Sequence, residues 1–252
     1  EGYEGIIIQP PSCRRINFES TLDQADDTFV VKAIAESEVP DPNVVVGIPA
    51  YNEEATIDNV VESATQYSDA VLVVDDGSTD KTAEAARDAG ATVVEHSRNS
   101  GYGAALKTLF KEANDCEADH LVVIDADGQH EPADIPLLVE TQREHDMEIV
   151  IGSRFETDAE TDIPLYRRFG LKVVNILTNL SLGSLTPRSQ ISDTQSGFRA
   201  YDSTAIESIA SDTSIGQGMN ASTDILVHAK DQGYEVKEVG TDVYYDVADA
   251  NS

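Results

Sequence analysis

From Val44 onward, short runs that are apolar at nearly every position alternate with segments whose apolar residues recur at helical spacing. The runs are Val44-Val45-Val46-Gly47-Ile48, Val71-Leu72-Val73-Val74, Thr92-Val93-Val94, Leu121-Val122-Val123-Ile124 and Ile149-Val150-Ile151. Each has the length of a strand, and none alternates polar with apolar, so each predicts a strand buried on both faces. Helices are predicted between them over 54–66, 82–89, 103–113 and 135–144. The first places Ile57, Val60, Val61 and Ala64 on one face. Buried strands joined by helical crossovers predict an α/β fold, with a mostly parallel sheet covered by helices on both faces.

The second half loses this rhythm. A helix is predicted over 165–182, carrying Phe169, Val173, Ile176, Leu177 and Leu180, and a polar loop follows it. Gly197-Phe198-Arg199-Ala200-Tyr201 is a short ordered stretch, helices are expected near 203–209 and 223–232, and 234–243 reads as a late strand. Residues 1–43 stand apart as an N-terminal extension. Ile6-Ile7-Ile8 could form a strand there, and Pro40-Asp41-Pro42-Asn43 reads as a linker into a domain over 44–252.

Charge narrows the function. The 252 residues carry 47 acidic and 17 basic side chains, a formal net charge of -30, spread along the whole length. That fits a high-salt cytoplasm, where a screening length of ~3 Å quiets self-repulsion. Nucleic-acid binding is not expected, because phosphate neutralisation needs clustered Lys and Arg. Cys13 and Cys116 match no metal or redox spacing and are expected as free thiols. No secretory signal is visible, and the longest uncharged run, 173–187, is too short and polar to span a bilayer. A soluble cytoplasmic protein is the expectation, with contact at the inner face of the membrane left open.

In open parallel sheets, ligands bind at the carboxyl ends of the strands. Four polar clusters fall there: Pro49-Ala50-Tyr51-Asn52-Glu53-Glu54, Asp75-Asp76-Gly77-Ser78-Thr79-Asp80, Asn99-Ser100-Gly101-Tyr102-Gly103 and Asp125-Ala126-Asp127-Gly128-Gln129-His130. One such cluster is ordinary turn chemistry; four on one sheet edge indicate a site. Two carboxylates flanking Ala126 can point oxygens at one hard cation, Mg²⁺ or Mn²⁺, whose shell substrate phosphates complete. Gly101-Tyr102-Gly103 lacks the third glycine of a dinucleotide fingerprint and follows the wrong strand, and no Walker lysine motif occurs. A receiver domain built on Asp75 and Asp76 would be far shorter and would want a late lysine.

These clusters resemble family 2 glycosyltransferases of the GT-A fold. Ser153-Arg154-Phe155 and Asp193-Thr194-Gln195-Ser196-Gly197-Phe198-Arg199-Ala200-Tyr201 narrow the resemblance to the polyprenyl-phosphate hexosyltransferase branch, similar to dolichyl-phosphate mannose synthases and glucosyltransferases. It covers about 44–243. The resemblance implies that Pro49, Tyr51, Glu53, Gly101 and Gly103 line the nucleotide pocket, with Asp76 and Asp75 hydrogen-bonding the base. Asp125 and Asp127 would hold the metal, with Ala126 between them and Gln129 beside it, and Arg154 and Arg199 would grip phosphate with planar guanidinium forks.

The resemblance further implies inversion at the anomeric carbon and transfer from a nucleotide sugar to a dolichyl or polyprenyl phosphate, feeding protein N-glycosylation or surface glycans. Gln195-Ser196-Gly197-Phe198 looks closer to the glucosyl relatives, which favours UDP-glucose over GDP-mannose. Asp193 falls where hydroxyl-using relatives carry a base. A lipid phosphate arrives already anionic, so Asp193 is expected to orient acceptor or metal, and Asp193→Asn to keep much of the rate. The 165–182 helix could cover the site or lie on a membrane through Arg167, Arg168 and Lys172. A family 2 transferase acting on a sugar hydroxyl and a non-catalytic sugar-nucleotide-binding module are the competing readings. A nucleotidyltransferase is disfavoured, because its glycine-rich phosphate loop is absent.

Overall fold

Every apolar run forms a strand: β1 (Val44–Ala50), β2 (Ala70–Asp75), β3 (Thr92–Glu95), β4 (His120–Val123) and β5 (Ile149–Ser153). Two later strands join them, β6 (Arg199–Asp202) and β7 (Val236–Gly240). The helices are α1 (Ile57–Ala64), α2 (Thr82–Asp88), α3 (Tyr102–Asp115), α4 (Ile135–His145), α5 (Ser203–Ser211) and α6 (Ala221–Gln232). The computed structural model describes residues 43–155, 191–216, 218, 220–241 and 243. The expected strand at 6–8 and helix at 165–182 lie outside them.

Local chemistry sets the element ends. Asp202 caps α5, its carboxylate accepting from the Ala205 N–H at 2.8 Å. Gly233, at φ +78, ends α6 in the left-handed conformation that costs a glycine nothing. Cys116 closes α3 and corrects one expectation: its sulfur is disulfide-bonded rather than a free thiol.

The seven strands lie in the order β3-β2-β1-β4-β6-β5-β7. The β1–β2, β2–β3, β1–β4 and β5–β7 pairs are parallel, whereas β6 runs antiparallel to both β4 and β5. Helices cover both faces, as expected. On one face Leu106, Leu109 and Phe110 of α3 pack with Ile206, Ile209 and Ile225. The other buries Ile57, Val60 and Val61 of α1 with Ile135 and Leu138 of α4 and with Phe198. Burial of these apolar side chains supplies the main stabilisation of the layers.

The reversal of β6 has a consequence for function. A strand that runs backwards delivers its preceding loop to the edge where its neighbours end. Residues 191–198 therefore reach the carboxyl edge of β1, β2 and β4, where the polar clusters sit. Among the described residues no helix is long and apolar enough to cross a membrane.

Candidate functional site

At that edge the loops enclose a cleft of about 550 Å³, within the range of small-ligand sites. Its lining includes the expected Pro49, Tyr51, Glu53, Asp76, Gly101, Asp125, Ala126 and Asp127. Tyr51 stands at the rim, 44% exposed. Asp75, Gly103, Gln129, Arg154, Asp193 and Arg199 are not in the lining, although most of them support it from behind.

The first two loops brace each other. Asn52 donates its N–H to Ser78 Oγ (2.9 Å) and accepts the Thr79 N–H at Oδ1 (2.8 Å), while the Glu53 N–H donates to Thr82 Oγ1 (2.8 Å). Asp75 is buried and accepts the Ser78 N–H (3.2 Å) and hydroxyl, so it builds the turn and is not presented to a base. Gly77, at φ +74, approaches the Arg98–Asn99 backbone so closely that a Cβ there would lie 2.4 Å from the Arg98 carbonyl carbon.

Asp76 lines the cleft, yet its carboxylate is heavily engaged. Oδ2 accepts the Gly101 N–H at 2.7 Å, Ser100 N–H lies 3.0 Å from both oxygens, and His96 Nδ1 sits 2.6 Å from Oδ1. His96 Nε2 in turn meets Thr108 Oγ1 at 2.9 Å. Asp76 thus fixes the loop before α3, and with it the shape of the pocket. Gly103 is an interior residue of α3.

Asp125 and Asp127 follow β4 into the cleft. Burial, reinforced by the charge of Asp127, pushes the Asp125 carboxyl up to about 6. Burial and the same Asp127 charge also raise Glu53. Asp127 Oδ1 accepts the Gln129 N–H at 2.9 Å, so Gln129 shapes this turn with its backbone. An Asp127 charge that disfavours ionisation of two neighbouring carboxyls fits a bound cation, because a cation relieves the repulsion. Among the described residues no group of three or more His, Cys, Asp or Glu side chains is placed to hold a metal. The donors present, Asp125 and Asp127, suit a hard ion such as Mg²⁺ that completes its shell with phosphate and water.

Two residues crowd Asp125. The Tyr102 hydroxyl lies 3.5 Å from Oδ1, and burial followed by the Asp125 charge raises that phenol well above its ordinary value. Gly197 lies on the other side, where a Cβ would come within 2.3 Å of Oδ2. Tyr102, Gln195, Gly197, Gly218 and Ser222 all line the cleft. Sequence reasoning gave none of them a site role. Tyr102, Gln195 and Gly197 lay inside quoted motifs, but nothing local marks Gly218 or Ser222.

Behind the cleft, Arg154 and Asp193 form a bidentate pair. Nε donates to Oδ2 and Nη2 to Oδ1, each at 2.7 Å, and the Arg154 N–H adds a bond to Oδ2 at 3.1 Å. Asp193 is 0% exposed and is held by Glu238, whose carboxylate accepts the N–H of Ser192 (2.7 Å) and of Asp193 (2.8 Å). His130 is buried nearby, its ring 5.2 Å from that of Phe198 and its Nδ1 without a partner among the described residues. Burial first, then the Arg154 charge, lowers this imidazole to about 4.

Arg199 departs from expectation. It is 1% exposed and donates to three backbone carbonyls: Nε to Ser196 (2.9 Å), Nη1 to Ser222 (2.9 Å) and Nη2 to Thr194 (2.8 Å). The reversed β6 sets its Cα opposite Val123 and Ile151 in mid-sheet. Its guanidinium is directed into the protein rather than toward a phosphate.

The chain is similar to known proteins. The profile described as Glycosyl transferase family 2 matches residues 45–209. An uncharacterized protein of Methanocaldococcus jannaschii is 33% identical, covering 83% of this chain and 84% of its own length. The UDP-N-acetylglucosamine–dolichyl-phosphate N-acetylglucosaminyltransferase of Methanococcus voltae is 30% identical, covering 79% of this chain and 84% of that protein. Among solved structures, glucosyl-3-phosphoglycerate synthase of Mycobacterium tuberculosis, in complex with Mn²⁺, UDP and phosphoglyceric acid, matches with a TM-score of 0.60 at 22% identity, covering 79% of this chain and 69% of that one. At that identity the likeness shows the fold alone, the GT-A fold expected from the sequence.

Proposed function

This chain belongs to glycosyl transferase family 2 and is a glycosyltransferase; on that premise we propose that it moves a hexose from a nucleotide sugar to a dolichyl or polyprenyl phosphate, with inversion. The observation that carries the reading is the Asp125/Asp127 carboxylate pair on a cleft walled by the loops after β1, β2, β3 and β4. The dolichyl phosphate in the Methanococcus voltae enzyme's name supports the acceptor. UDP-glucose is the favoured donor, ahead of GDP-mannose, on the Gln195-Ser196-Gly197-Phe198 run.

The chemistry asks little covalent work of the protein. A bound Mg²⁺ or Mn²⁺ would supply charge stabilisation to the departing diphosphate. Asp125 and Asp127 would hold that ion, whose charge would offset the burial and the Asp127 charge that raise the Asp125 carboxyl. Pro49, Tyr51 and the loop fixed by Asp76 shape the nucleotide end, while Gln195, Gly197 and Ser222 wall the sugar end. The acceptor phosphate, with a second pKa near ~6, comes as an anion, so no proton need be removed before it attacks in line. Asp193, locked to Arg154, would orient that cation toward the acceptor phosphate. A lipid acceptor would be met at the membrane surface.

The test is a thermal shift with UDP-glucose and with GDP-mannose, each with and without Mn²⁺, at low and at molar salt. Mn²⁺-dependent stabilisation by one of them is expected, followed by formation of an inverted hexosyl-phosphate lipid when polyprenyl phosphate is supplied. Absence of any metal-dependent shift would remove the donor site, and transfer only to a sugar hydroxyl would replace the acceptor.

A further inference from the structure

Arg199 is a buried cation with no carboxylate hydrogen-bonded to it among the described residues. It sits instead among carbonyl oxygens, at 2.8–2.9 Å, in a chain where acidic partners are plentiful. Burying a charge in this way is costly, so its three carbonyl partners invite a reason. Thr194 and Ser196 bracket Gln195 and lead into Gly197, which together form one wall of the cleft. Ser222 lies in the first turn of α6 and, with Gly218, forms the adjoining wall. One planar guanidinium therefore ties two segments, far apart in sequence, that line the same cleft.

The tie extends to the carboxylates. Gly197 abuts Asp125 so tightly that an added Cβ would lie 2.3 Å from Oδ2 and 2.6 Å from Oδ1. The Tyr102 hydroxyl, 3.5 Å from Oδ1, closes the other side, and Ser196 Oγ donates to the Gly152 carbonyl at 2.6 Å to anchor the loop below. Asp125 thus occupies a slot whose one wall is backbone held by Arg199. A shift of that wall by a fraction of an ångström must move the carboxylate, because there is no side chain to yield between them.

We propose that Arg199 is a positioning residue: by stapling residues 194–197 to the start of α6 it holds the Asp125 carboxylate in the one orientation that lets a divalent cation join it to a nucleoside diphosphate. This rests on the donor-site reading above and assigns that site's geometry to a residue that does not line it. A guanidinium gripping phosphate would instead point N–H groups into the cleft.

The experiment measures equilibrium binding of UDP and of GDP by calorimetry, each with Mn²⁺ and with EDTA, for the wild type, Arg199→Lys and Gly197→Ala. Lysine keeps the charge but lacks the fork that reaches three carbonyls. Gly197→Ala perturbs the same slot with Arg199 intact, and cooperative melting establishes that each variant is folded. The expected result is that Mn²⁺-dependent tightening falls roughly tenfold or more in both variants, since misplacement by ~1 Å is costly at such sites, while affinity in EDTA stays within about twofold. Equal weakening of Arg199→Lys with and without Mn²⁺, alongside an unaffected Gly197→Ala, would identify a direct phosphate contact and overturn the proposal. Unchanged Mn²⁺ dependence in both variants would overturn it too. A wild type that binds neither nucleotide with Mn²⁺ would instead bring down the donor-site reading beneath it.

Discussion

Replacing Asp193 with Asn changes one oxygen to NH₂, and the structure fixes what that costs. Oδ2 receives Nε and the backbone N–H of Arg154, and Oδ1 receives Nη2. An amide can supply one of these oxygens but must turn its NH₂ toward a guanidinium N–H at the other. The side chain of Asp193 is 0% exposed and that of Arg154 13%, so water does little to screen the mismatch. Removing one partner of a buried pair costs about 3–5 kcal/mol, and the retained oxygen places Asp193→Asn near ~3. In a chain of this size that corresponds to a fall in Tm of roughly 6–12 °C.

Arg154→Met should cost a similar amount, because it strands the Asp193 carboxylate. The double variant should then cost about 2 kcal/mol less than the two singles added, measured by urea unfolding. Turnover with polyprenyl phosphate extends the same cycle. If Asp193 acts only through Arg154, either single variant slows the reaction to a similar degree and the double is no slower. The sequence alone led to the expectation that Asn would keep much of the rate; the ion pair ties that rate to how well Arg154 stays in place. Additive stability costs within about 0.5 kcal/mol would refute the coupling. A normally stable Asp193→Asn protein with no turnover would restore Asp193 as a proton acceptor.

His130 predicts a pH dependence. Its folded value of about 4 lies below the ordinary 6.5, so between those values only the unfolded chain takes the proton. Stability contributed by the neutral ring is present above pH 6.5 and is lost as pH falls toward 4, by up to roughly 3 kcal/mol. The urea midpoint of His130→Leu, compared with wild type at pH 5 and 7, should lose that part of the slope; parallel curves would count against it. Asp125→Asn predicts the opposite cost for function and stability. Removing a carboxylate raised to about 6 should leave the metal-free protein at least as stable at pH 7, by on the order of 1–3 kcal/mol, while abolishing the Mn²⁺-dependent shift with nucleotide. A destabilised Asp125→Asn that still responded to Mn²⁺ would contradict the assignment.

What the sequence made legible follows from range. The strands and helices of the first half were readable because periodicity is a local signal, and the strand-end clusters were readable because β1, β2, β3 and β4 all point one way. Pro49, Tyr51, Glu53, Asp76, Asp125 and Asp127 reach the cleft for that reason alone. The direction of β6 was not readable. Its few residues carry no mark of orientation, and the segments it pairs with lie 48–82 positions upstream, as in the Ile151–Arg199 and His120–Asp202 registers.

That single reversal decides which arginine does what. It carries Asp193 beside Arg154, 39 positions earlier, so one cation is held at the strand edge by a carboxylate. It also sets Arg199 in mid-sheet, where the nearest acceptors are carbonyls of the wall it supports. Motif resemblance assigned both arginines to phosphate because it compares residue types in order, and order is silent on strand direction.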